Sequence, residues 1–215
     1  MIKTNNIIKS FGNVQVLKGI NIEVAKGELV SIVGASGAVK TTLLQILGTL
    51  LKPDKGNVII NGTDVFQLNN KKMAAFRNKE LGFVFQFHQL LPEFTAYENV
   101  LLPAMIGKRN MQEVKLRADE LFEFLNIAHR KEHKPSQLSG GEQQRIAIAR
   151  ALINQPGVIF ADEPTGNLDT SNTSEFFDLL LNLRKEMNQT IVLVTHNEDL
   201  AKKSDRALRI VDGLI

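Results

Sequence analysis

Between Glu28 and Leu51 the chain passes from an apolar strand into a glycine-rich turn, then a lysine and two threonines, then an apolar helix over 43–51. This order constrains the fold more than any other stretch. A turn of this kind is useful only where a buried strand delivers it to a helix N-terminus. It reads Gly34-Ala35-Ser36-Gly37-Ala38-Val39-Lys40-Thr41-Thr42. Its backbone N–H groups and the helix N-terminus can supply positive partial charge to a polyphosphate, Lys40 can neutralise the terminal phosphates, and the Thr41 hydroxyl can sit on Mg²⁺. One position departs from the phosphate-loop pattern G-x-x-x-x-G-K-[ST], since Val39 stands where the second glycine belongs. Read by itself, the stretch is either a phosphate loop or a strand-to-helix turn with incidental glycines.

Short β-branched runs at 30–33, 58–60, 82–85, 158–160, 191–194 and 208–211 recur between helical patterns, and several are apolar throughout. Such strands belong to a sheet buried on both faces, which predicts an α/β fold with a largely parallel core. Residues 2–9, 20–24 and 57–61 are more closely spaced, with turn signals at Lys26-Gly27, Lys55-Gly56 and Asn61-Gly62. They predict an antiparallel sheet beside the parallel one. From 87 to 155 no strand is predicted, and Val114, Ala118, Leu121, Phe122 and Leu125 share one helical face. This stretch reads as an inserted helical subdomain, with Pro92, Pro103 and Pro135 limiting its helices.

With 43% hydrophobic residues in 215, the chain can bury a sizeable core, which excludes disorder. Without cysteine it can form no disulfide, thiolate nucleophile or cysteine-type zinc site. The N-terminus lacks the apolar core of a signal peptide, so the chain is expected in the cytosol. The greasiest stretch, 43–51, is far short of the ~20 residues a spanning helix needs, so any membrane role is expected to run through a partner. A net charge of +3, dispersed, with 6% aromatics, does not describe a nucleic-acid platform.

Two further motifs carry chemistry. The apolar run 158–161 ends in Asp162-Glu163 and the turn Pro164-Thr165-Gly166. Acids at the C-terminal end of a buried strand suit Mg²⁺ coordination by Asp162 and polarisation of a water by Glu163; an acidic helix-start turn is the plainer alternative. Leu138-Ser139-Gly140-Gly141-Glu142-Gln143-Gln144-Arg145 leads into a helix over 146–153. Ser139 and Glu142 have capping-box spacing, but a cap does not require Gly140 and Gly141, whereas close backbone approach to an anion does.

LSGGEQQR resembles the signature sequence of ATP-binding cassette (ABC) transporter ATPases, and the other landmarks of that family follow in order across nearly the whole chain. The resemblance implies an α/β P-loop NTPase (RecA-like) mixed-sheet core with an N-terminal antiparallel β subdomain and an inserted helical subdomain. The whole of 1–215 is then a single ABC ATPase domain, with the core at 1–86 and 156–215 and the helical part, bearing the signature, at 87–155. It implies ATP and Mg²⁺ as cofactors. Phe11 in KSFG matches the aromatic that stacks on adenine, and Val16 joins the nucleotide-contacting positions with residues 34–42. Gln86 in VFQ matches the glutamine that reaches the metal and senses the membrane subunit. Thr41, Gln86 and Asp162 become the metal set, Glu163 the water-activating carboxylate, and His196 the switch histidine at the γ-phosphate. Asn167-Leu168-Asp169 resembles the loop crossing the dimer interface.

The same resemblance implies a homodimer that sandwiches two ATP molecules, with Ser139, Gly140 and Gly141 serving the neighbouring chain. Splitting the donors ties catalysis to dimer closure. Residues 85–103 are similar to a group within the family that includes lipoprotein-releasing ATPases and cargo-free signalling ATPases. This implies a peripheral subunit on the cytoplasmic face of the inner membrane, docked to integral permease subunits near Gln86–Phe94, with no insertion of its own and no nucleic-acid partner. Leu90, Leu91, Pro92 and Phe94 either cradle a permease helix or pack the helical subdomain. ATPases of soluble DNA-repair or translation machinery are disfavoured by the single cassette without a heptad run. His129 and His133, four apart, stand among Arg130, Lys131 and Lys134 and read as a solvated basic helix end rather than a metal site. His88 is either a permease contact or a surface residue. Val39 is expected to hamper ATP binding through backbone strain and bulk beside the phosphates.

Overall fold

The computed structural model describes residues 1–35, 37–166 and 170–215. In chain order the strands are β1 (Ile2–Phe11), β2 (Val14–Ile20), β3 (Glu23–Val24), β4 (Leu29–Val33), β5 (Lys55–Ile60), β6 (Thr63–Asp64), β7 (Leu81–Phe85), β8 (Val158–Asp162), β9 (Thr190–Val194) and β10 (Arg206–Arg209). The α-helices are α1 (Gly37–Leu47), α2 (Asn70–Glu80), α3 (Ala96–Ile106), α4 (Met111–Phe124), α5 (Gly140–Leu152), α6 (Thr170–Met187) and α7 (Glu198–Lys202). They fall into two compact units, Met1–Arg77 with Leu179–Ile215, and Asn78–Asp178. The second unit holds the expected helical stretch together with β7 and β8.

In the first unit β1 pairs antiparallel with β2, β3 and β5, and β5 turns into β6. Ile2, Ile7, Leu17, Ile20, Val24, Val58 and Ile60 are buried, so one face of this sheet forms core. The Asn61-Gly62 turn is made as expected. Both residues have positive φ, 49° and 77°, the twist that suits a two-residue hairpin between Ile60 and Thr63. Lys55-Gly56 is not a turn but the start of β5. Gly56, at φ 89°, faces a register shift in β1 where a side chain would collide with the Asn6 carbonyl.

The single strand expected over 20–24 is two strands with a break. The buried Thr4 fills the break, its hydroxyl donating to the Ile20 carbonyl (3.2 Å) and accepting from the Ile22 N–H (2.8 Å). The side chain of Asn21 bridges the Asn6 N–H and the Gly19 carbonyl. Local polar competition with the ladder ends β2 where apolar content alone would have continued it.

Also in the first unit, β4 runs parallel between β10 and β9, pairing Ile32 with Leu208 and with Val194. All five residues of β4 and of β9 are buried, and the one polar residue in each is hydrogen-bonded, the Ser31 hydroxyl with that of Ser204 and the Thr190 hydroxyl accepting from the Gly27 N–H. The last strand is Arg206–Arg209 rather than 208–211. The polar α2 has no buried residue and no hydrophobic period to announce it. Arg77 anchors it through the Thr49 carbonyl (2.6 Å) and hydroxyl (3.0 Å).

In the second unit β7 and β8 are parallel from Leu81↔Val158 to Phe85↔Asp162, with the Phe83 and Phe160 rings stacked at 5.8 Å. The expected face of α4 is buried: Val114, Ala118, Leu121 and Phe122, with Leu125 as its C-cap. Pro103 lies inside α3 rather than ending it. Its carbonyl still accepts from the Gly107 N–H and from the Asn78 amide, which supports the last turn. Pro92 stands outside the helices, and Pro135 opens a short 3₁₀ turn. The helices beginning at Gly37 and Gly140 start six residues earlier than apolar content indicated at 43 and 146, since glycines and a lysine form their first turns.

Candidate functional site

The first unit holds the glycine-rich loop. Gly34 follows β4 where a side chain would stand 2.5 Å from the Ile210 carbonyl, so glycine is required by close approach. Lys40 is 2% exposed, and its Nζ donates to the Gly34 carbonyl at 2.7 Å, folding the ammonium back across the loop. Thr41 is half-buried. The Thr42 hydroxyl donates to the Ala38 carbonyl at 2.6 Å, so this side chain is turned into its own helix. Ser36 lies outside the described residues, as do Asn167, Leu168 and Asp169.

Val39 is an ordinary residue of α1 and is not among the residues with positive φ. Its side chain and those of Val16 and Ala38 help to line a cavity of about 510 Å³ that reaches Gly34, Ala35 and Ile210. Phe11, at the tip of the β1–β2 hairpin, is 51% exposed with Lys9 Nζ 5.6 Å from its ring centroid. Such a ring offers an open stacking face. His196 emerges exposed two residues past β9, beside the loop, because Ile32 pairs with Val194 and the Thr195 N–H donates to the Ile32 carbonyl (3.2 Å).

The second unit brings together Gln86, Asp162 and Glu163. The Phe85↔Asp162 pairing makes Gln86 and Glu163 leave neighbouring strands at the same level. Glu163 has φ 44°, a left-handed conformation that costs a non-glycine residue on the order of 1 kcal/mol. Its carbonyl accepts from the Gly166 N–H at 3.0 Å, which closes the turn. A side chain at Gly166 would stand 2.6 Å from Gln86 Nε2, so this glycine leaves room for the Gln86 amide over the acidic turn. Sequence reading offered no signal for that packing.

Also in this unit, Ser139 caps α5 with the full reciprocal box. Its hydroxyl accepts from the Glu142 N–H (3.3 Å), and its own N–H donates to Glu142 (2.8 Å). Arg130 Nε donates to the same carboxylate at 2.6 Å. Burial works against the charged form of Glu142, but the hydrogen bonds from Ser139 and Arg130 outweigh it and hold the carboxyl below its usual range. His129 lies in a 3₁₀ turn, 3.9 Å from Glu142, and His133, beyond that turn, pairs with Arg130. Among the described residues no group of three or more histidine, cysteine or acidic side chains could hold a metal by itself. No described helix is long and apolar enough to cross a membrane.

The ABC transporter family profile matches residues 17–166. The chain belongs to the ABC transporter family. A lipoprotein-releasing system ATP-binding protein LolD from Cytophaga hutchinsonii is 59% identical over 215 residues, covering 100% of this chain and 98% of that protein. The LolD protein of Bacteroides thetaiotaomicron is 58% identical, covering 100% and 99%. Among solved structures, the dimeric ABC transporter cassette MJ0796 is 40% identical with a TM-score of 0.89, covering 100% of this chain and 96% of that one. The same cassette in a post-hydrolysis state bound to ADP and Pi is 39% identical, also with a TM-score of 0.89 and the same coverage. These ABC cassettes support the α/β P-loop NTPase class, in keeping with the antiparallel sheet and parallel strands described above.

Proposed function

We propose that this chain is the ATP-binding and ATP-hydrolysing subunit of an ABC transporter for lipoprotein release, energising a membrane permease by nucleotide-driven dimer closure. The observation that carries the chemistry is the Phe85↔Asp162 register, which groups an amide and two carboxylates at one strand edge. Thr41, Gln86 and Asp162 offer hydroxyl, amide and carboxylate oxygens, the hard donors that Mg²⁺ takes. The metal would supply charge neutralisation between the phosphates. Lys40 and the N–H groups of 34–42 hold the phosphates, and Phe11 with Val16 receives the nucleoside. Glu163 accepts a proton from water as the water oxygen bonds to the γ-phosphorus and the bond to the bridging oxygen breaks, giving ADP and phosphate. His196 orients the γ-phosphate. Ser139, Gly140 and Gly141 serve ATP on the other chain of a homodimer.

The relatives matched over the whole chain carry the lipoprotein-releasing description, which favours release over cargo-free signalling. The chain then works as a peripheral subunit on the cytoplasmic face of the inner membrane, its permease docking near Gln86–Phe94. The bulk of Val39 beside the phosphates weakens ATP binding. In Glu163→Gln, turnover should fall by about 10²- to 10⁴-fold with ATP binding retained. Unchanged hydrolysis would remove Glu163 from its role. For the cargo, the chain recovered with its permease from detergent-solubilised membranes should release lipoprotein from vesicles only with ATP. Release independent of ATP would refute the reading.

A further inference from the structure

The loop between β7 and α3, residues 86–95, displays Phe87, Leu91 and Phe94 at 70%, 44% and 37% exposure. Its backbone is nevertheless held by side chains from two helices of the same unit. The wholly buried Asn99 of α3 accepts from the Leu91 N–H (2.8 Å) and donates to the carbonyls of Leu91 (3.1 Å), Phe94 (3.2 Å) and Thr95 (2.9 Å). Arg150, near the end of α5, donates to the carbonyls of His88 (2.7 Å) and Gln89 (2.6 Å). Gln89 takes the left-handed φ of 50° at that clamp. His88 Nε2–H donates to Oε1 of Gln144, a residue of α5 that is 1% exposed, at 2.6 Å.

Two of these three clamps belong to the helix that begins at Ser139-Gly140-Gly141, and Gln144 stands about one turn from Gly140. We propose that His88 and Arg150 are positioning residues that tie the apolar 86–95 loop to this helix, so that load applied to Phe87, Leu91 and Phe94 reaches Gly140 and Gly141. A helix is stiff along its axis, whereas a loop held only at its ends yields locally. The hydrogen bonds to Gln144 and Arg150 make loop and helix move as one piece. This inference rests on the transporter reading for the source of the load, and not for the tie itself.

The test uses the full chain, alone and in its membrane complex, with His88→Leu, which removes the donor, and His88→Asn, which keeps one. In the free chain His88→Leu should leave kcat and the KM for ATP within about twofold. In the complex it should lower partner-stimulated kcat roughly three- to tenfold, the range expected for breaking one coupling contact, with His88→Asn recovering most of the loss. Equal losses in free chain and complex, no loss in the complex, or no rescue by His88→Asn would each overturn the proposal. Amide hydrogen exchange on the free chain provides a readout apart from activity. His88→Leu should speed exchange both over 87–95 and over 140–143, and acceleration confined to the loop would overturn the tie. A wild-type complex without partner-stimulated turnover would count against the transporter reading alone, with the exchange measurement still deciding the tie.

Discussion

Two helix starts, one in each unit, contain glycine in their first turns and differ in how they present charge. The first turn of α1 carries no acid and holds Lys40, a buried cation folded against the Gly34 carbonyl. The first turn of α5 carries an acid, Glu142, whose charge is taken up by Ser139 and Arg130. Helix dipoles favour an anion at each of these two N-termini. Only α1 adds a full positive charge, while α5 offers backbone dipoles next to a neutralised carboxylate. On the proposed roles, this difference suits α1 to capture a polyphosphate and α5 to complete a site that another group has already filled.

Lys40→Ala breaks the stronger half. Removing a buried cation from a phosphate site costs about 2–5 kcal/mol, so ATP affinity measured by titration of a fluorescent analogue should fall by roughly 30-fold to more than 1,000-fold. A smaller loss would mean that α1 binds through its backbone as α5 does. Gly140→Asp challenges the weaker half. Aspartate is tolerated early in a helix, so the fold should stand, but its charge opposes an incoming phosphate. Turnover should drop about a hundredfold while the chain's own ATP affinity is unchanged. Mixing the Lys40→Ala and Gly140→Asp chains should restore partial turnover, because one of the two composite sites then has both halves intact. A mixture no more active than its parents would refute the cross-chain role of α5.

Val39→Gly sharpens the contrast at α1. With ordinary helical backbone at this position, only the side chain's bulk is relieved, and ATP affinity should rise about tenfold. Equal affinities would show that the loop accommodates valine. The smallest effect concerns α5. Because the Glu142 pKa is lowered on folding, its stabilisation is present above the unfolded carboxyl pKa of about 4.3 and is lost as pH falls through the folded value. Arg130→Ala should lower the melting temperature by about 2–4 °C at pH 7 and by less at pH 3, as read by calorimetry.

The same contrast marks how far the sequence could be read. The mostly apolar β4 and β9 were legible because strands buried on both faces admit few polar residues, here Ser31 and Thr190. The cap of α5 was legible in the spacing of Ser139 and Glu142, but the first turns of α1 and α5 were not, since apolar content placed both helices six residues later. By contrast, α2 was not, since a polar helix without a buried residue has no period to detect. Nor was the break at Asn21, where Thr4, seventeen residues away, supplies the missing hydrogen bonds. In the site, the packing of Gln86 against Gly166 and the clamps from Gln144 and Arg150 depend on contacts between residues far apart in the chain, which spacing does not encode.

The left-handed backbone at Glu163 has a consequence for anyone engineering this protein. Glycine adopts that conformation without penalty, and a search for heat resistance would be drawn to replace the glutamate. On the role proposed for Glu163, such a variant would keep its shape and lose its proton acceptor, so robustness and turnover are set against each other at a single peptide unit.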